Sequence, residues 1–302
     1  MKSIIALCLV LLATCSLAAA TVQGTFQRTF QVTGPVNMEV LTRSGDISLH
    51  TGAAGSVMIS GKIHVGDRWF SGGRQADVSQ LEKNPPIRQS GNSINIDYVN
   101  VRDIAIDYEI TVPADTTLRT RSNSGDQLVE GLTTNLDLES GSGDMRLSNL
   151  TGGMKLHTGS GNVDARDVSG AITAETGSGD IRLDSKGSGD LRVHTGSGDI
   201  EVRGINGGLW AEAGSGDISV EGTQTGTWEL RTGSGNVDLR LPSDAGYELQ
   251  SSTGSGRVVV DHPITMTVQG NLEKSHRSIN GQVGSGGPKL IVHTGSGDVS
   301  IH

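Results

Sequence analysis

One tetrapeptide restricts what this chain can fold into more than any other feature. Gly-Ser-Gly-Asp/Asn recurs with its last residue at Asp144, Asn162, Asp180, Asp199, Asp217 and Asn236. Degenerate copies end at Asp126 and Arg257, and a further full copy ends at Asp298. From Asp126 the steps are 18, 18, 18, 19, 18, 19 and 21 residues, followed by a double step of 41. Eighteen residues is too short for most helical repeats, and paired glycines would break a helix at every turn. Ser44-Gly45-Asp46 stands apart from the array, and an extra copy ending at Asp190 falls mid-unit.

Within each unit the apolar residues alternate with polar ones. The Asp or Asn is followed by pairs such as Met145/Leu147, Val163/Ala165, Ile181/Leu183 and Ile200/Val202. About ten residues later comes a second pair: Met154/Leu156, Ile172/Ala174, Leu191/Val193, Leu209/Ala211, Trp228/Leu230. A spacing of two is the period of a strand, and a single apolar residue such as Leu132, Leu150, Val168 or Ile205 sits between the pairs. No proline interrupts 121–241, as suits strands paired on both sides. The reading is all-β: a single-stranded parallel β-helix, or β-solenoid, with coils of about 18 residues stacked ~4.8 Å apart.

The charges test that register independently. Three columns can be read at fixed places in successive units: Arg146, Asp164, Arg182, Glu201, Ser219, Asp238; then Glu130, Ser148, Arg166, Asp184, Arg203, Glu221, Arg240; then Glu139, His157, Glu175, His194, Glu212, Arg231. Acid alternates mostly with base or neutral. Residues 18 apart have no reason to alternate in sign unless stacking makes them neighbours.

The remainder of the 302 residues frames this array. Met1-Lys2, the apolar run from Ile4 to Ala13 and Ala18-Ala19-Ala20 read as a secretory signal over 1–20, cleaved after Ala20. An alternative treats Leu12-Ala13-Thr14-Cys15 as a lipobox, with Cys15 lipidated. Both cysteines, Cys8 and Cys15, lie in that leader, so the mature chain has neither disulfide nor cysteine ligand. The location expected is periplasm, cell surface or extracellular medium. Residues 21–120 read as irregular first coils plus a cap, with a short helix at Gln75–Lys83, and 121–302 as regular coils of the same continuous domain. A net charge of −9 argues against nucleic acid as partner. No later segment is apolar over the ~18 residues of a membrane span.

The segment Val-Pro-Ala-Asp-Thr-Thr-Leu-Arg-Thr at 112–120 leads into repeated Thr-Gly-Ser-Gly-Asp-Ile/Val units. These close on His293-Thr-Gly-Ser-Gly-Asp-Val-Ser-Ile301. In this the chain resembles the bacterial "putative adhesin" family, a domain of unknown function. The resemblance covers most of the mature chain. It implies an exported or membrane-linked single-stranded β-helix and carries no catalytic residues with it.

Candidate chemistry is sparse. The column Asp126, Asp144, Asp180, Asp199 and Asp217 is the candidate calcium edge. The preferred reading is that each carboxylate accepts amide hydrogen bonds within its own bend, because every turn offers one carboxylate and Asn replaces it freely. Thr158, Thr176, Thr195 and Thr232 resemble an ice-binding rank, but parity with Ile172 and Ala174 turns Thr176 inward. His157, His194 and His293 read as members of a charge ladder. Trp210, between Leu209 and Ala211, should point outward and is the candidate partner contact. No nucleophile elbow, carboxylate pair or phosphate loop is present. The expectation is an adhesin-like or scaffolding surface, neither an enzyme nor a holder of a cofactor, whose partner is a cell-surface protein or a glycan. The alternative is a carbohydrate-binding or carbohydrate-active β-helix. Finally, Val299 and Ile301 have the spacing of the first pair, so the last strand should need covering by the insertion at Val268–Val283.

Overall fold

The computed structural model describes residues 22–66, 74–265 and 277–302. The strands join into one continuous sheet system of 25 members, accompanied by one helix among the described residues. From Thr117 to Arg240 each coil contributes one strand to each of two parallel faces. On one face Leu118, Leu136, Met154, Ile172, Leu191, Leu209 and Trp228 stack in register. On the other, Gln127, Met145, Val163, Ile181, Ile200, Ile218 and Val237 do the same. Leu132, Leu150, Val168 and Ile205 close the third side, and all are buried. The coil after Ile205 carries Gly222 at this place. There the fully buried Trp228 brings its indole against the preceding coil, Nε1 donating to Gly207 O at 2.8 Å.

The charge columns stand in register. Arg146, Asp164, Arg182, Glu201, Ser219 and Asp238 are consecutive partners, as are Glu139, His157, Glu175, His194, Glu212 and Arg231. The column Glu130, Ser148, Arg166, Asp184, Arg203, Glu221, Arg240 is interrupted only between Arg166 and Asp184, where the ladder shifts between Ala165 and Val168. The arginines also reach back along their own strand. Arg182 meets Asp180 at 2.9 Å and Glu201 of the next coil at 3.7 Å, and Arg166, Arg203 and Arg240 each pair with the acid two residues earlier.

Two expectations fail at the ends. Ser44-Gly45-Asp46 does not stand apart: Asn37–Ser44 pairs with Thr117–Ser124, and Ile47 with Gln127. The next coil in sequence, Ser93–Ile96 with Ile104–Val112, lies on the far side of 37–51. The last strands likewise do not form an end. Lys289–Ser296 lies between Ile218–Ser234 and Tyr247–Ser255, and Val299–Ile301 lies between Val237–Arg240 and Val258–Val260. The coil 247–260 therefore covers the final coil, and the order of coils in space departs from the order in sequence at both ends.

Beyond each outermost coil the pairing turns antiparallel. At the first end Ile87–Ser90 lies on Ser93–Ile96, and Ile104–Val112 is followed by Ser56–Val65 and then Val22–Gln31. The helix forms over Gln75–Lys83 and covers that last strand. Glu82 accepts from the Thr25 N–H at 3.0 Å, and the Arg28 guanidinium donates to the carbonyls of Glu82 and Lys83. At the other end Ser278–Val283 runs antiparallel along Tyr247–Ser255. Residues 268–276 of the expected covering insertion lie outside the described residues, as do the leader 1–20, Cys8 and Cys15.

Candidate functional site

The acidic edge is the first place to look for chemistry. Asp126, Asp144, Asp180, Asp199 and Asp217 do line up along one edge of the stack, and each has a defined task. The Asp144 N–H donates to Asp126 Oδ1, the Asn162 N–H to Asp144 Oδ1, and the Asp180 N–H to Asn162 Oδ1, at 2.8–2.9 Å. The series continues through Asp199, Asp217, Asn236 and Asp298. It begins at Asp107, whose Oδ1 accepts from Asp46, which in turn accepts from Asp126. It ends at Arg257, whose N–H donates to Asp298 and which has no coil beyond it to serve. The copy whose Asp is replaced by Arg257 is thus the physical end of the ladder, whereas the degenerate copy at Asp126 keeps its acceptor within it. Asn serves as well as Asp because either side chain supplies the Oδ1 acceptor.

This corrects the expected amide in one respect: the donor belongs to the next coil, not to the same bend. Several second carboxylate oxygens are also engaged. Arg146 bridges Asp126 and Asp144 at 2.9 and 2.8 Å, and that hydrogen bond to Asp126 pushes its guanidinium pKa above the ordinary arginine value. Among the described residues no three His, Cys, Asp or Glu side chains gather closely enough to hold a metal ion.

The glycines and threonines of the motif explain one another. A Cβ at Gly161 would lie 2.1 Å from the carbonyl oxygen of Gly143 below it, and the equivalent contact recurs at each coil. Turns stacked at strand spacing leave no room for a side chain there. Where a threonine precedes the turn it points inward and donates to a turn carbonyl of the preceding coil: Thr158 to Gly143, Thr176 to Gly161, Thr195 to Gly179 and Thr232 to Gly216. A buried carbonyl is satisfied in this way, and no outward threonine rank exists at these positions.

The outer face of the sheet containing Trp210 is different. Its central column reads Arg119, Asp137, Lys155, Thr173, Arg192, Trp210, Glu229. Trp210 is half-buried, with the Arg192 guanidinium stacked 3.9 Å from its ring centre. Three open grooves, of about 480, 440 and 440 Å³, adjoin on this face, and all are lined by Thr173. From Thr117 to Arg240 every cation but two has a carboxylate within 4 Å. The exceptions are Lys155 and Arg192, on either side of Thr173. Both share the column of the outward-facing Trp210, but only the side-chain geometry separates them from the paired cations. His157 and Glu175 approach to 3.7 Å in the next column, where His194 lies between Glu175 and Glu212. That is the charge ladder expected of His157 and His194, whereas His293 lies between Arg231 and Ser252 and its Nδ1 is 3.0 Å from Ser252 Oγ.

Coils, polar ladder and open faces define a parallel β-solenoid whose most conspicuous acids hold its own backbone. The chain belongs to the family described as Toastrack DUF4097, which it matches over residues 36–193 and again over 73–302. No curated protein matches its sequence. Among solved structures it is similar to one from Parabacteroides distasonis described as "Putative lipid binding protein". The TM-score is 0.52 at 14% identity, covering 93% of this chain and 97% of that one. A structure from Bacteroides fragilis described as "a putative adhesin" matches with TM-score 0.41 and 14% identity over 93% and 98% of the two chains. Identities this low speak to the fold alone.

Proposed function

We propose that this chain is an exported, non-catalytic, adhesin-like solenoid that offers a rigid flat face to a partner instead of a site for reaction. The observation that carries this reading is the acidic ladder: the residues that most resembled a reactive or metal-binding array are occupied by backbone amides of the adjoining coils. The solenoid holds its two outer faces as parallel ladders, and side chains on such a face keep fixed spacing. Export rests on the leader at 1–20.

The test has two parts. Sequencing the N-terminus of the protein recovered outside the cytoplasm should begin at Thr21. Beads coated with the purified mature chain should adhere to bacterial or host surfaces. Retention in the cytoplasm with an intact leader would overturn export, and beads that adhere no better than albumin-coated ones would overturn the surface role.

A further inference from the structure

We propose that the strip Lys155–Thr173–Arg192–Trp210 binds an acidic polysaccharide lying along the stack axis. This rests on the surface reading above and adds the chemical class of the partner. Lys155 and Arg192 are exposed, and neither has a carboxylate within 4 Å, whereas the other cations between Thr117 and Arg240 are paired. They stand two coils apart, about 10 Å, with Thr173 as the low point between them. The Arg192 guanidinium carbon lies 3.9 Å over the centre of the Trp210 ring, a contact that uses none of its five N–H donors. Of the acids that line the grooves, Asp137 is held by Arg119, Glu139 by Arg121 and Glu229 by Arg231, Glu175 faces His157 at 3.7 Å, and Asp190 Oδ1 accepts the Gly208 N–H.

Three physical features point to a glycan. The three grooves adjoin at Thr173 and together reach across the strands from Arg119 to Glu229, an extent that fits a linear polymer better than a compact ligand. The strands beneath it are hydrogen-bonded to neighbours on both sides, so a peptide would find no edge to extend and could use only its side chains. An anionic bilayer would find two free cations on this face, where lipid recognition takes clusters of four to eight. A chain of uronic acids carries carboxylates at spacings near that of two coils, ring C–H faces for Trp210 and hydroxyls for Thr173.

The experiment titrates the purified chain with an oligogalacturonate of about ten sugars at low salt, with neutral dextran, polyglutamate and phosphatidylglycerol vesicles as comparison arms. Binding to the oligogalacturonate is expected, weakened at least tenfold by Lys155→Gln with Arg192→Gln and at least fivefold by Trp210→Ala. Thr173→Asp, which supplies a carboxylate to both cations while leaving them in place, should also weaken it at least tenfold. Arg146→Gln with Arg166→Gln, on the other face, should leave binding within twofold. All of these positions are exposed or half-buried, and melting curves will show whether the variants fold.

The inference is overturned by absence of oligogalacturonate binding, by equal binding of dextran, by tighter binding of polyglutamate or the vesicles, or by loss shared with the other-face variant. The bead assay keeps the two readings apart. Beads bearing the Lys155/Arg192 variant that adhere as well as wild type overturn this site and leave the surface role standing. Wild-type beads that fail to adhere, while oligogalacturonate binding is lost on substitution, overturn the surface role alone.

Discussion

The coils between Thr117 and Arg240 and the two ends of the molecule solve the same problem in opposite ways. In the middle each coil lies on the one before it in sequence, and side chains repeat from level to level: glycine at the turn, an Oδ1 acceptor beside it, and within, threonine in four coils with Ser122, Ser140 and Ala213 in the others. At each end a coil from elsewhere in the chain is slipped in beneath the outermost one, and an antiparallel strand is laid over the result. An open parallel edge would invite another coil, from this chain or a second copy. An antiparallel strand takes up the hydrogen-bonding groups in a pattern that a further 18-residue coil cannot continue. Regularity extends a solenoid, and a break in regularity ends it.

The largest effect that would test this contrast is steric. Gly161→Ala places a methyl group 2.1 Å from the Gly143 oxygen in the middle of the stack. It should cost about 3 kcal/mol in urea denaturation, because neighbouring coils confine the backbone. Gly91→Ala at the first end meets no atom within 4 Å and should cost about 1 kcal/mol, from its left-handed backbone alone. Equal costs would mean that the coils slide freely and that stacking does not impose the glycine.

The polar ladder comes next. Asp180→Ala removes the acceptor of the Asp199 N–H and a partner of Arg182, and should cost about 2 kcal/mol. Asp180→Asn should cost under about 0.5 kcal/mol, as Asn162 and Asn236 imply. Arg257→Ala, at the end of the ladder, should be as mild. An Asn variant as damaging as the Ala one would show that charge, not the acceptor, matters at this edge.

Alkali should distinguish the regions without mutation. Tyr108 lies in the outermost coil of the first end and Tyr247 in that of the other, both buried, and no tyrosine lies between them. Burial pushes both phenols up, Tyr247 to about 12. The folded ends keep protons that the unfolded chain releases near pH ~10. That stabilisation is complete below the unfolded value and is lost as pH rises through the folded one. Hydrogen exchange between pH 10 and 12 is expected to show 104–112 and 247–260 losing protection before 136–200. Simultaneous loss would mean that the ends and the middle unfold as one unit.

The smallest effects concern charge and metal. Arg182→Glu places an acid between Asp164 and Glu201 of the adjoining coils and beside Asp180, and should cost about 1 kcal/mol or less, relieved by salt and by adding Glu201→Arg. A salt-independent loss would contradict the pairing. Millimolar calcium or EDTA should leave the melting temperature unchanged. A calcium-induced rise of several degrees would return the acidic edge to metal binding.

The repetitive part of the molecule was legible because its local and long-range signals coincide. A period of 18 with alternating apolar pairs fixes which residues face inward, and charges alternating down a column fix the register. The short helix at Gln75–Lys83 was equally legible, lying between Gly72-Gly73 and Pro85-Pro86. Ser44-Gly45-Asp46 was misplaced because its distance in sequence, 80 residues from Asp126, says nothing about a stack joined by a long excursion. The end at Val299–Ile301 was misread for the same reason: its spacing gives a strand but not that strand's neighbours. Trp210 was legible as an outward residue, while the guanidinium stacked on it and the unpaired state of Lys155 were not.

The sequence by itself determined the all-β class, the coil length, the inward residues and the side-by-side order of the regular coils. All of these follow from repetition, which brings equivalent residues together at every level. Only the tertiary structure decided the order of coils at the ends, the acceptor of each ladder amide and which cations remain without a carboxylate. Those depend on which groups the chain returns to after a long excursion, and on side-chain reach of a few ångströms. A linear pattern encodes neither.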